Sequence, residues 1–177
     1  MLTFRDYLDY ANKYVRLAEK NLKDKTPSNE WLLIPATILA WTAIESFVNN
    51  RLDDYKFLPD DIFELHEKAF LTEKKIRFVD RGTKIGQFEL EGKEYKRLED
   101  KIFFLMAKFS SKPDKDIKGK KLWQDFEKFK ETRDSLVHPR RGKRVSLNID
   151  AVRKYIETSK EIIQLISTHI WNKQIDF

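Results

Sequence analysis

The stretch between residues 31 and 48 constrains this fold most, because it is apolar on almost every side when it is wound as a helix. Such a helix lies at the centre of a bundle or is covered by a partner subunit. Pro35, Glu45 and three hydroxyl side chains interrupt it, and the unbroken apolar run is too short to span a bilayer. The sequence therefore predicts a central helix at about 30–52 and no membrane partner.

Helical spacing of apolar residues predicts five more helices around this one. They lie at about 3–24, 60–70, 93–109, 121–138, and from a cap at Asn148 or Asp150 to about 172. Between 75 and 92, alternating apolar residues flank a turn, which predicts a short β-hairpin or an ordered loop. The fold class we predict is an all-α bundle with a hairpin insertion at 75–92, in a single domain over residues 1–177.

Composition excludes several classes of function. The chain has no cysteine, so it has no disulfide framework and no thiolate metal site, and its three histidines do not form a zinc spacing. We therefore expect no metal and no cofactor. Residues 1–10 are polar and lack the apolar core of a signal peptide, which predicts a cytoplasmic protein. A net charge of +6 permits a polyanionic partner without requiring one.

Two charged side chains fall on apolar helix faces. Arg133 shares its face of the 121–138 helix with five apolar residues, namely Leu122, Phe126, Phe129, Leu136 and Val137. A guanidinium cannot lose its charge, and burying it without a partner costs roughly 3–5 kcal/mol. Glu45 lies on the apolar stripe of the central helix. We therefore predict that Glu45 and Arg133 meet, directly or through water, so that neither charge is buried alone.

A histidine ends the same helix. Pro139 disfavours the α conformation at His138, so the helix should end there. Asp134 lies four residues before His138, within reach of its imidazole, and it either orients the ring or is simply exposed. A basic turn follows, which either contacts an RNA backbone or is only solvated. Its basic residues are Arg140, Arg141, Lys143 and Arg144.

Arginine, aspartate and histidine in this order suit the cleavage of RNA without a metal. That reaction needs a base for the ribose 2′-hydroxyl, an acid for the departing 5′-oxygen, and a fixed positive charge beside the phosphorane. Histidine serves as acid or base, and arginine matches the geometry of a phosphate. One chain offers one such histidine. A homodimer that meets along the second and fifth helices would supply two, and would also cover the apolar central helix.

Two segments resemble the HEPN superfamily: Ala-Ile-Glu-Ser-Phe-Val-Asn-Asn at 43–50 and Arg-Asp-Ser-Leu-Val-His-Pro at 133–139. Members of that superfamily are small helical domains, and many are metal-independent ribonucleases of toxin–antitoxin, abortive-infection and CRISPR-associated systems. Their motif is an arginine and a histidine four to six residues apart, often with Asn, Asp or His directly after the arginine. The resemblance implies that Arg133 stabilises phosphate charge, His138 transfers protons and Asp134 orients. It also implies a site shared across a dimer, products with 2′,3′-cyclic phosphate ends, and an antitoxin protein as a candidate partner.

Two other interpretations stay open. A non-catalytic HEPN-like module would bind RNA, nucleotides or a protein partner through the same cleft. A scaffold would use the central helix only to build a dimer, with Arg133 and Glu45 fixing the helix packing. We interpret the four tryptophans as core residues, and His66 and His169 as ordinary helix residues.

Overall fold

The central helix extends over 26 residues, from Glu30 to Tyr55. It is seen in a computed structural model that describes residues 2–23, 30–110, 116–139 and 145–177. The described residues form six α-helices and one two-stranded sheet. In chain order the elements are α1 (Phe4–Lys23), α2 (Glu30–Tyr55), α3 (Leu65–Leu71), β1 (Lys75–Phe78), β2 (Phe88–Glu91), α4 (Leu98–Phe109), α5 (Lys121–Val137) and α6 (Ile149–Trp171). The mostly helical class is therefore as predicted.

The hairpin prediction is confirmed. Strands β1 and β2 pair antiparallel, with Lys75 opposite Glu91 and Phe78 opposite Phe88. The Arg77 guanidinium donates to the Glu91 carboxylate across the two strands at 2.6 Å. Alternation of apolar and charged residues along each strand thus gives the sheet one apolar and one charged face.

Two predicted helix starts are wrong. Residues 60–62 form only a 3-10 turn, and α3 begins at Leu65, because Glu64 caps it through a reciprocal capping box with Glu67. Helix α4 begins at Leu98 instead of about 93. The Glu94 N–H donates to the Glu73 carbonyl at 2.7 Å, so the backbone there extends the hairpin region and is not available for a helix.

Contacts between residues divide the described chain into two compact units. The first comprises 1–47 and 106–177, and the second comprises 48–105. The prediction of one domain over residues 1–177 stays a prediction, because compactness does not show whether either unit folds alone.

The first unit packs α1 and α5 against α6. Its fully buried residues include Trp123, Phe126 and Phe129 of α5. Helix α6 begins at the Asn148 cap, whose side chain accepts a hydrogen bond from the Ala151 N–H at 2.8 Å. Asn148 is one of the two cap residues that the sequence allowed, and it fixes the start of α6.

An ion pair joins α5 to α6 near the surface of this unit. The Lys154 ammonium lies 2.9 Å from the Asp125 carboxylate. Its hydrogen bond, supported by the charge of Lys121, holds the pKa of Asp125 below its ordinary value. The carboxylate is therefore one that the folded chain keeps ionised.

The second unit holds α3, the hairpin and most of α4. Phe70 of α3 stacks on Phe104 of α4 with ring centroids 4.7 Å apart. The Lys101 ammonium lies 2.8 Å from the Glu73 carboxylate. Burial opposes the ionisation of Glu73, but the hydrogen bond and charge of Lys101 outweigh it, and the pKa of Glu73 lies below its ordinary value.

One described helix passes a length and composition test for a membrane span. It covers Trp31–Tyr55, and 56% of its apolar window is buried inside the protein. The core helix of a soluble protein passes the same test, so the finding is weak. The expected absence of a membrane partner stays a prediction.

Candidate functional site

Arg133 lies where α5 leaves the core. One turn before it, Phe129 is fully buried, whereas Leu136 is half-buried and Val137 is 40% exposed after it. The Arg133 side chain is 25% exposed. The apolar face predicted from the sequence therefore ends at this arginine, which stands at the boundary between the core and solvent.

Two carboxylates hold the guanidinium of Arg133. Its Nη2 donates to Glu45 Oε1 at 3.2 Å, and its Nη1 donates to Asp134 Oδ1 at 3.0 Å. The pairing of Glu45 with Arg133 that we predicted from two charges on apolar faces is thus present as a direct contact between α2 and α5. The cost of partly burying the guanidinium is offset by these charge-assisted hydrogen bonds.

Trp41 completes the surroundings of Arg133. Its indole ring lies 5.5 Å from the guanidinium carbon, within the range of a cation–π contact. Its Nε1 donates to Glu45 Oε1 at 2.7 Å, so one carboxylate oxygen accepts from both Trp41 and Arg133. We had interpreted Trp41 only as a core residue. The spacing of four residues between Trp41 and Glu45 on one helix permits this bond, but it does not show which way the indole N–H points.

The hydrogen-bonding capacity of Arg133 is not fully used. Its Nε is buried and has no hydrogen-bond partner among the described residues. Within hydrogen-bond distance of the guanidinium there are two carboxylates, those of Glu45 and Asp134, against one positive charge. The guanidinium is therefore neutralised by its own neighbours and is reachable from solvent only in part.

His138 ends α5 as predicted. It is the C-terminal cap residue, with φ −123° and ψ 70°, and its N–H donates to the Asp134 carbonyl at 2.8 Å. This backbone lies outside the α region, which a following proline disfavours. The side chain is exposed and has no hydrogen-bond partner among the described residues.

The proposed orientation of His138 by Asp134 is not seen in the described residues. The Asp134 carboxylate bonds to Arg133 instead. A spacing of four residues brings side chains together only while both residues are helical, and His138 has already left the helix. The sequence prediction counted His138 as the last helical residue, whereas it is the cap residue and its backbone is no longer helical.

In the sequence, a basic turn follows just after His138. Arg140, Arg141, Lys143 and Arg144, which we predicted to bind substrate, lie outside the residues that the structure describes. The contact of these side chains with RNA stays a prediction, and the described site consists of Arg133, His138 and the residues around them.

An open groove lies elsewhere in the first unit. It has a volume of about 510 Å³, and its walls come mainly from α6 and the C-terminal segment, including Leu165, Ile175 and Phe177. None of the residues of the Arg133 site lines it. His169, at its edge, bonds to the Leu165 carbonyl one turn earlier at 2.9 Å.

Among the described residues, no three histidine or carboxylate side chains are grouped as ligands for a metal ion. Comparisons of the chain with protein-family models, with curated proteins and with solved structures find no match.

Proposed function

We propose that this protein is a metal-independent endoribonuclease of a defence or toxin–antitoxin type, with its active site formed across a homodimer. The observation that carries the proposal is the guanidinium of Arg133 held at the end of α5, with an exposed imidazole five residues further along the chain. Arg133 lies on the last turns of α5, and His138 is the cap residue at which this helix ends. The resemblance to the HEPN superfamily supports the same assignment.

In the proposed reaction, the ribose 2′-hydroxyl attacks the adjacent phosphorus and the 5′-oxygen of the next nucleotide leaves. The bond from phosphorus to the 2′-oxygen forms as the bond to the 5′-oxygen breaks, and the product ends in a 2′,3′-cyclic phosphate. The base removes the proton of the 2′-hydroxyl and the acid protonates the 5′-oxygen. Arg133 stabilises the charge that develops on the phosphorane.

A second chain would complete the site. One chain supplies a single histidine in the motif, and the reaction uses both a base and an acid. In a symmetric dimer, the same helix end of two chains would contribute His138 twice to one cleft. The polar and half-buried face of α2 that carries Thr42 and Glu45 is the surface that we propose for this contact.

The test is cleavage of end-labelled RNA in the presence of EDTA, with detection of cyclic-phosphate ends. We expect the parent to cleave, and His138→Ala to lose at least about 100-fold in rate, because a placed acid or base contributes roughly 10²–10⁴-fold. His66→Ala is the matched control. His66 is exposed on α3, and this variant should cleave RNA as fast as the parent does. Equal cleavage by the parent and His138→Ala would refute the assignment.

The alternative is a non-catalytic HEPN-like module that binds RNA, a nucleotide or a protein partner such as an antitoxin. The observation in its favour is that both carboxylates already occupy Arg133, as in an ion pair that serves only to fix helix packing. RNA binding by the parent without cyclic-phosphate products, over a range of RNA sequences, would favour this alternative.

A further inference from the structure

The two carboxylates on Arg133 are held with different firmness. Glu45 Oε1 accepts two hydrogen bonds, from Trp41 Nε1 at 2.7 Å and from Arg133 Nη2 at 3.2 Å. Asp134 Oδ1 accepts one, from Arg133 Nη1 at 3.0 Å. The Asp134 side chain is also the more exposed of the two, at 44% against 34% for Glu45. Asp134 is therefore the carboxylate that an incoming anion can replace more easily.

The anchor of Glu45 is part of the core. Trp41 is only 2% exposed, and its ring stacks on Phe126 with centroids 5.2 Å apart. Phe129 packs against it in a T-shaped arrangement with centroids 5.3 Å apart. Two aromatic neighbours fix the plane of the indole, and this plane fixes the direction of its N–H. Because the N–H is fixed, Glu45 is held on Nη2 of Arg133 by a rigid donor.

We propose that Trp41 is a positioning residue for Arg133, that it locks Glu45 on Nη2, and that a phosphodiester of the RNA displaces Asp134 from Nη1. This inference rests on the proposed function. The buried Nε of Arg133 supports it, because a phosphate oxygen cannot reach that nitrogen from solvent and meets the Nη1 edge first.

The displacement also changes the electrostatics of the site. With Asp134 in place, an approaching phosphate meets one cation and two carboxylates. With Asp134 turned away, its carboxylate is replaced on Nη1 by the phosphate, while the bond to Glu45 keeps the guanidinium pointing at the same place. Asp134 thus competes with the substrate for Nη1 of Arg133.

Substitutions of Asp134 and of Trp41 should change RNA affinity in opposite directions, because Asp134 competes with the phosphate and Trp41 positions Arg133. The probe is a fluorescent 2′-O-methyl RNA oligonucleotide, which lacks the attacking hydroxyl and cannot be cleaved, and its affinity is measured by anisotropy. Asp134→Asn should bind it about 3- to 10-fold more tightly than the parent, because a competing charged acceptor is lost. Glu131→Gln removes the same charge from an exposed position of α5 and should change affinity by less than about 2-fold.

The positioning role is tested by two tryptophan variants. Trp41→Phe keeps an aromatic ring and removes the donor to Glu45, and should weaken binding about 3- to 10-fold and slow cleavage at saturating RNA about 10-fold or more. Trp123→Phe is the matched control. Trp123 is equally buried and donates to Glu127, four residues later, at 3.0 Å, but Glu127 has no ion pair among the described residues.

The inference is wrong if Trp41→Phe and Trp123→Phe bind and cleave alike, or if Asp134→Asn binds no more tightly than Glu131→Gln. The Asp134→Asn comparison leaves the core untouched, so it decides whether RNA displaces Asp134 even if Trp41→Phe does not fold. If the parent protein binds the oligonucleotide but cleaves no RNA, only the nuclease proposal is overturned. The affinities of the variants can then still be compared, and they decide the inference. A parent that does not bind overturns both.

Discussion

Replacement of Glu45 should destabilise the protein by an amount that depends on whether an oxygen acceptor remains. In Glu45→Ala, the indole N–H of Trp41 loses its acceptor in a site that is 2% exposed. Leaving such a donor unsatisfied costs about 1–3 kcal/mol. The ion pair with Arg133 is 25% and 34% exposed on its two sides, so solvent screening limits its contribution to about 0.5–1 kcal/mol. We expect a total loss of about 1.5–4 kcal/mol.

Glu45→Gln separates the two contributions. The amide oxygen of glutamine can still accept from Trp41, and only the charge opposite Arg133 is lost. We therefore expect Glu45→Gln to cost about 0.5–1 kcal/mol, well below the cost of Glu45→Ala. Urea unfolding at pH 7, followed by circular dichroism, measures both values.

The pair formed by Trp123 and Glu127 calibrates this reasoning. It has the same donor, the same acceptor and the same spacing on a helix, without an arginine. Glu127→Gln should leave the free energy of unfolding almost unchanged. Glu127→Ala should lower it only by the cost of leaving the Trp123 N–H without an acceptor. If Glu45→Ala and Glu45→Gln are destabilised equally, within about 0.5 kcal/mol, the tryptophan does not hold Glu45 and the reasoning fails.

Three further predictions concern the scaffold of the first unit. Asn148→Ala should destabilise it by about 1 kcal/mol, because the Ala151 N–H loses its cap, and urea unfolding of the variant measures this. Phe129→Ala should cost about 3–5 kcal/mol, since the ring is fully buried, and an unchanged unfolding midpoint would contradict its place in the core. The contribution of Asp125 to the free energy of unfolding should depend on pH. Its lowered pKa means that the stabilisation by Lys154 is complete above pH about 4 and is lost as the pH falls through the lowered pKa, so Asp125→Asn and the parent should converge in stability in strong acid.

The spacing of apolar residues predicted helix bounds most accurately where one face of a helix is buried. The bounds of α1, α5 and α6 were predicted to within two residues, because apolar side chains recur once per turn along each of them. The starts of α3 and α4 were missed. They depend on the capping box at Glu64 and on the hydrogen bond from Glu94 to Glu73, and neither leaves a periodic trace.

Part of the candidate site was also readable from the sequence. Glu45 and Arg133 are charged residues on apolar helix faces, and each is costly to bury alone. Their contact could therefore be predicted from the sequence. The role of Trp41 was missed, since an aromatic residue in a buried helix gives no sign of which way its N–H points. For Asp134 the sequence left two alternatives open, orientation of His138 and plain exposure, and it did not indicate the bond to Arg133 that the structure shows.

The sequence by itself determined which segments are helical, where the hairpin lies, and that a permanent cation occupies an otherwise apolar helix face. These properties follow from the order of side chains along the chain, which fixes what each turn of a helix or strand can bury. Only the tertiary structure decided that Glu45 Oε1 serves both Trp41 and Arg133, and that Asp134 faces the guanidinium. Those contacts depend on which rotamers are compatible with neighbours far away in the sequence, and spacing along a single helix does not contain that information.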